Sequence, residues 1–132
     1  MSLDIFVPIS VGELLDKISI LQIKQNSILD AVKLVNVSNE LRILMEIMER
    51  AGVTKHQEFD DLFQIMFEIN RRGWDYEDQI RELMVRPGSD QEFIDLAVTL
   101  HKNNDSRMAH KKRINLTFNS SIIEEKSYKD AP

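Results

Sequence analysis

The sequence predicts an all-α protein, a four- to five-helix bundle with a short extended N-terminal lead-in and an irregular C-terminal tail. Apolar residues recur every three or four positions along most of the 132 residues, which is the spacing of helices that bury one face. Four glycines and three prolines are too few to supply the turns of a many-stranded protein. Three capping-box sequences mark where helices begin: Ser10–Glu13, Thr54–Gln57 and Ser89–Glu92.

The first helix is predicted over residues 11–34, after a lead-in that Pro8 keeps extended. Its apolar face is unusually wide, because Ile20 and Ile23 extend the main stripe. A helix with such a face is either central in its domain or buried against a partner. We therefore expect the chain to form a homodimer through a two-fold helical interface.

Three further helices are predicted from capping sequences and helix-ending residues, over about 38–51, 54–86 and 89–118, before a tail over 119–132. Asn36–Ser38 separates the first two helices, and Gly52 ends the second. Pro87 and Gly88 end the third helix, and Gly73 is a point at which it can kink. At this length we expect residues 1–132 to form a single domain.

The composition argues against several classes of function. The chain contains no cysteine, which rules out disulfides, a thiol nucleophile and thiolate metal sites. We expect a cytoplasmic protein. No apolar run approaches the ~20 residues that span a bilayer and no signal peptide is recognised, so no membrane contact is expected. A net charge of −5 does not favour nucleic acid as a partner. The three histidines are scattered, so neither a metal nor another cofactor is expected.

The fourth predicted helix carries the clearest candidate for a functional site. Its apolar stripe over 93–100 continues, in steps of three and four, to Asn104, Arg107, Lys111 and Asn115. Polar groups directed at a core need partners, because burying an unpaired charge is costly. Three interpretations are open: a charge network that ties this helix to helices one and three, a cleft that binds a ligand, or a solvated face.

Residues of the other helices complete the candidate ligand-binding site. The whole set is Asn104, Arg107, Lys111, Asn115, Lys17, Glu13, Trp74, Asp78 and Arg81. Arg107 lies where the apolar stripe points inward, so it is expected to pair with a carboxylate from another segment. The leading candidates are Asp78, Glu77 and Glu13.

Two classes of function fit this site. The first is a non-catalytic helical module with a polar, partly basic site between helices, which binds an anionic small molecule or a protein partner. The second is a small enzyme acting on an anionic metabolite, with Arg107 and Lys111 as anion clamps and Glu13 or Asp78 as the acid–base group. Polar atoms that are all bonded internally indicate a structural role, whereas an open pocket indicates a ligand.

Four sequence segments in combination resemble a small bacterial and phage family, an uncharacterised domain of unknown function. They are Pro8–Leu21, Trp74–Arg81, Asn103–Asn115 and Glu124–Tyr128. The resemblance implies that these segments act together, and it implies no catalytic role. Because such domains also stand beside glycosyltransferase or tetratricopeptide-repeat modules, it implies a link with saccharide assembly. The sequence also resembles, more weakly, the helical chorismate mutases. Its first predicted helix lacks the arginine that those enzymes carry there.

Overall fold

The computed structural model describes residues 2–127 and confirms the all-α prediction. Four α-helices and one 3-10 turn follow one another: α1 (Val11–Ser27), α2 (Ala31–Arg50), the 3-10 turn (Val53–Lys55), α3 (Phe59–Met84) and α4 (Asp90–Thr117). Within the described residues there is no strand, and the segments before α1 and after α4 are irregular. Residues 128–132 of the predicted tail lie outside the described part of the chain.

The boundary between the first two helices differs from the prediction. Helix α1 ends at Ser27 rather than near residue 34, because Asp30 caps a new helix by accepting a hydrogen bond from the Lys33 amide (2.9 Å). The predicted break at Asn36–Ser38 is wrong, since these residues lie inside α2 and Val37 is buried in the core. Apolar spacing continues across the real turn and therefore conceals it.

Two of the three predicted capping boxes do not form. Thr54 lies in the 3-10 turn, and α3 begins later, at Phe59. Ser89 stands at the start of α4 as predicted, but its hydroxyl is directed at the carbonyl oxygens of Leu83 and Arg86. Helix α3 continues through Gly73 without a break.

Helix α1 is the central element, because it contacts α2, α3 and α4. Leu15 and Ile18 are fully buried and lie in the main apolar cluster between the helices. Ile23 is also buried within the chain, and Ile20 lines a groove described below. The wide apolar face of α1 is thus largely covered within one chain, and the predicted homodimer remains a prediction.

Candidate functional site

A close approach of α1 and α4 positions the candidate site. The amide of Gly12 donates a hydrogen bond to Oδ1 of Asn115 (2.6 Å), and a Cβ at position 12 would lie 2.6 Å from the carbonyl oxygen of Lys111. Only glycine allows the two helices to pack this closely. Ser10 caps α1 as predicted, since its hydroxyl accepts a hydrogen bond from the Glu13 amide (3.0 Å).

A buried carboxylate in the middle of α1 connects three helices. The Asp16 side chain is 1% exposed, and it accepts hydrogen bonds from Nε (3.0 Å) and Nη2 (2.5 Å) of Arg107 on α4. From α3, the amide of Asn70 donates to both Asp16 (2.8 Å) and the Ser19 hydroxyl (2.6 Å). Asp16 therefore has partners on both neighbouring helices, which satisfies its burial.

Lys111 extends this network toward the C-terminal segment. Its side chain is 6% exposed, and its ammonium lies 2.5 Å from Glu13, 3.3 Å from Asp16 and 3.3 Å from Glu124. Three carboxylates thus surround one ammonium, which has three N–H donors. No buried side-chain nitrogen or oxygen lacks a hydrogen-bond partner within residues 2–127. We call the set Glu13, Asp16, Arg107, Lys111 and Glu124 the ion-pair network.

The ion-pair network keeps Asp16 ionised. Burial by itself raises the pKa of this carboxyl, but hydrogen bonds from Arg107 and Asn70 and the positive charges of Arg107 and Lys111 outweigh that effect. The net result is a pKa below the ordinary aspartate value. The charged form is therefore the stable form in the folded protein.

The two cations are stabilised in the same way. The hydrogen bond to Asp16 raises the pKa of Arg107 above its ordinary value. Burial lowers the pKa of Lys111, but the hydrogen bond to Glu13 and the three neighbouring carboxylates raise it more. Its pKa is consequently above the ordinary lysine value, so Lys111 stays protonated at neutral pH.

Acid should destabilise the protein through Asp16. Because its folded-state pKa is lowered, the ionised carboxylate stabilises the fold above the unfolded-state pKa of about 3.9, and this contribution is lost as pH falls through the folded-state value. We expect the free energy of unfolding to decrease below about pH 4, and Asp16→Asn to remove part of that decrease. Urea titrations at a series of acidic pH values measure both profiles. The control Asp60→Asn, at an exposed position, should retain the wild-type profile. If the free energy of unfolding of Asp16→Asn fell as steeply with decreasing pH as that of the wild type, Asp16 would not be the group responsible.

A polar groove of about 300 Å³ lies on the other side of Arg107, between α3 and α4. Its charged, amide and aromatic lining residues include Trp74, Glu77, Asp78, Arg81, Asn104 and Arg107. Nε and Nη2 of Arg107 bond to Asp16, whereas its Nη1 forms no hydrogen bond within residues 2–127. The guanidinium therefore joins the ion-pair network to the groove. Asn104 and Arg107 also line a second opening of about 490 Å³, which Lys126 borders.

The nine residues predicted from the sequence fall into two neighbouring groups. Trp74, Asp78, Arg81, Asn104 and Arg107 line the groove. The other four lie in or beside the ion-pair network: Glu13, Lys17, Lys111 and Asn115. Lys17 forms the predicted i,i+4 pair with Glu13 (3.6 Å).

The expected partner of Arg107 needs correction. Arg107 does pair with a carboxylate from another helix, but that carboxylate belongs to Asp16 and not to Asp78, Glu77 or Glu13. The sequence held a signal for this pair, because Gly12, Asp16 and Ser19 follow one another at helical spacing on one face of α1. Their small or polar side chains mark the face that meets α4 and Asn70.

Two further buried polar residues on α4 were also missed. Asn103 donates to the carbonyl oxygen of Ile69 (3.0 Å), and His110 lies 2.7 Å from the carbonyl oxygen of Leu62. Both contacts are to the backbone of α3. The inward face of α4 is therefore rotated slightly from the predicted phase, and Asn104 lies at its exposed edge.

The described residues offer neither a membrane span nor a metal centre. No helix among them is both long and apolar enough to cross a bilayer. In the same part of the chain, no three His, Asp or Glu side chains are grouped in a way that could hold a metal ion.

Fold and site together define an all-α protein in which a buried ion-pair network supports one wall of a polar groove. The chain belongs to a family of unknown function, DUF6165, whose family model matches residues 5–132. Comparison with curated proteins and with solved structures finds no match.

Proposed function

We propose that this protein is a non-catalytic binding module that holds a small polar ligand in the groove between α3 and α4. The observation that carries the proposal is the state of Arg107. Asp16 fixes one edge of its guanidinium, Nη1 has no hydrogen-bond partner among the described residues, and the Arg107 side chain lines a groove together with Trp74 and Asn104. A preorganised donor of this kind binds an acceptor group with little loss of side-chain entropy.

The charges of the groove favour a ligand of low net charge. Glu77, Asp78 and Arg81 line the groove from α3 and Arg107 lines it from α4, so the formal charges of these four residues cancel. The buried Asp16 behind Arg107 adds a further negative charge. A strongly anionic ligand would gain little from such a site.

The alternative, an enzyme that clamps an anionic metabolite, has less support. Such an enzyme needs cations whose charge is available to the substrate. Arg107 is already paired with Asp16, and Lys111 is surrounded by three carboxylates. The polar groove therefore supports binding better than it supports anion clamping.

The side chains of the groove fit a saccharide. Trp74 offers an aromatic face, and its neighbours Asp78, Asn104 and Arg107 offer both acceptors and donors for hydroxyl groups. The resemblance to a bacterial and phage family that stands beside glycosyltransferase modules also favours this ligand class. We further propose a cytoplasmic location for the module.

Trp74 provides the test, because it is the only tryptophan in the chain and lines the groove. We expect its fluorescence to change saturably on titration with at least one member of a series of methyl glycosides, and not with inorganic phosphate. Asn104→Leu should abolish the change, since it replaces an amide donor and acceptor with an apolar side chain. Because Asn104 is exposed, the variant should remain folded.

Ser106→Leu is the matched control, since Ser106 is an exposed polar residue of α4 that lies outside the groove. It should bind the same glycoside as the wild type. Absence of a saturable response to every glycoside, or a response that persists in Asn104→Leu, would overturn the proposal.

A further inference from the structure

The segment before α1 exposes an unusual amount of apolar surface. We call residues 2–9 the N-terminal arm. Leu3, Ile5, Phe6 and Val7 within it are 66–89% exposed. Four large apolar side chains that lie close together and exposed to water are typical of a surface that binds a partner molecule.

A second apolar surface lies at the start of α2. Leu29, directly before the helix, and Val32 and Val35 on its first two turns are 68–94% exposed. We call these three residues the α2 patch. Lys33 lies beside them and forms no ion pair within residues 2–127, and the same is true of Asp4 in the arm.

The arm and the α2 patch lie at opposite ends of α1. The arm leads into the first residue of α1, whereas the patch follows its last residue. The 17 residues of α1 separate them by about 25 Å at 1.5 Å per residue. A fully extended arm of this length reaches about 27 Å. An arm of this length could span that distance, but the arm and the patch both stay exposed in the structure, so one copy carries two apolar surfaces that it does not bury against each other.

We propose that two copies of this chain exchange their N-terminal arms, each arm lying along the α2 patch of the other copy. A two-fold axis brings the arm of one copy to the patch of its partner and repeats the contact in the other direction. This contact is independent of the groove proposed above to bind a ligand.

Area and charge both favour a second copy as the occupant. On each copy the arm and the patch together offer seven large apolar residues that are 66–94% exposed, which is the kind of surface from which a stable interface of about 800 Å² per partner is built. Asp4 in the arm and Lys33 beside the patch carry opposite charges, so an exchanged arm brings an anion to a cation. Both features occur twice in a symmetric dimer.

Sedimentation velocity of the full chain across the micromolar range tests the exchange. We expect a dimer for the wild type, and a dissociation constant raised about tenfold or more by Phe6→Ser, which removes an aromatic anchor from the arm. Leu116→Ser is the control, because Leu116 is a comparably exposed apolar residue on α4, outside both surfaces. This control should remain as dimeric as the wild type.

A charge reversal identifies the surface that receives the arm. Asp4→Lys and Lys33→Glu should each weaken the dimer, because each brings like charges together. The double variant should restore it. A monomeric wild type, a dimer that is insensitive to Phe6→Ser, or a double variant without recovery would each overturn the arm exchange, and none of these results bears on ligand binding in the groove.

Discussion

Replacing Lys111 by methionine should lower the free energy of unfolding by about 3–5 kcal/mol, the usual cost of removing one partner from a buried ion pair. Methionine keeps the apolar stem of the side chain, so the packing against α1 changes little. The loss comes from Glu13, Asp16 and Glu124, whose carboxylates all contact the Lys111 ammonium and would face one another without it. Urea unfolding followed by circular dichroism at neutral pH measures the difference.

The adjacent residue supplies the control. Lys112 is about half exposed and pairs with the exposed Glu125 (3.4 Å), a contact of the kind that contributes little to stability. Lys112→Met should therefore change the free energy of unfolding by less than about 0.5 kcal/mol. Equal effects of the two substitutions would show that burial of Lys111 is not what makes its charge important.

The ion-pair network also explains why the groove has a defined shape. Arg107 is 33% exposed and has a long side chain that would otherwise sample many rotamers. Its hydrogen bonds to Asp16, donated by Nε and Nη2, fix the plane of the guanidinium, and Asn70 fixes Asp16 in turn. One wall of the groove is thus held by residues that do not need to touch a ligand.

The sequence predicted α4 and much of the candidate site, because the apolar stripe of α4 runs into polar residues at a constant spacing. Arg107 and Lys111 could be identified as inward-facing from that phase alone. Their partners could not, because the side chain that meets Arg107 depends on how α1 and α4 pack together. The Gly12 contact sets that packing, and helical spacing within one segment does not reveal it.

The start of α2 shows a second limit of predicting helix boundaries from apolar periodicity. Apolar residues continue at helical intervals from α1 into α2, so periodicity alone predicts one longer helix. The turn between them depends on a single local contact, the cap that Asp30 forms with the Lys33 amide. Conversely, the capping-box spacing of Ser10 and Glu13 did predict a cap that forms.

Gly12→Ala should lower the free energy of unfolding by about 2–3 kcal/mol, the cost of forcing an extra methyl group into a closely packed interface. The new Cβ would lie 2.6 Å from the Lys111 carbonyl oxygen and 2.8 Å from Oδ1 of Asn115. Because the first of these atoms belongs to the backbone of α4, relief requires the helices to separate. That separation would weaken the hydrogen bond from the Gly12 amide to Asn115 and move Lys111 away from Glu13.

Gly73→Ala is the matched comparison, because Gly73 is also a helical glycine near α4. Its added Cβ would meet only the Asn103 side-chain amide, at 3.1 Å, and a side chain can adjust where a backbone cannot. Alanine is favoured over glycine in a helix interior by roughly 1 kcal/mol, and this gain offsets the cost of shifting the Asn103 amide against its hydrogen bond to Ile69, so stability should change by less than about 1 kcal/mol. Urea unfolding of both variants measures the contrast. If Gly12→Ala were as stable as Gly73→Ala, the contact between α1 and α4 would be looser than the distances at Gly12 require.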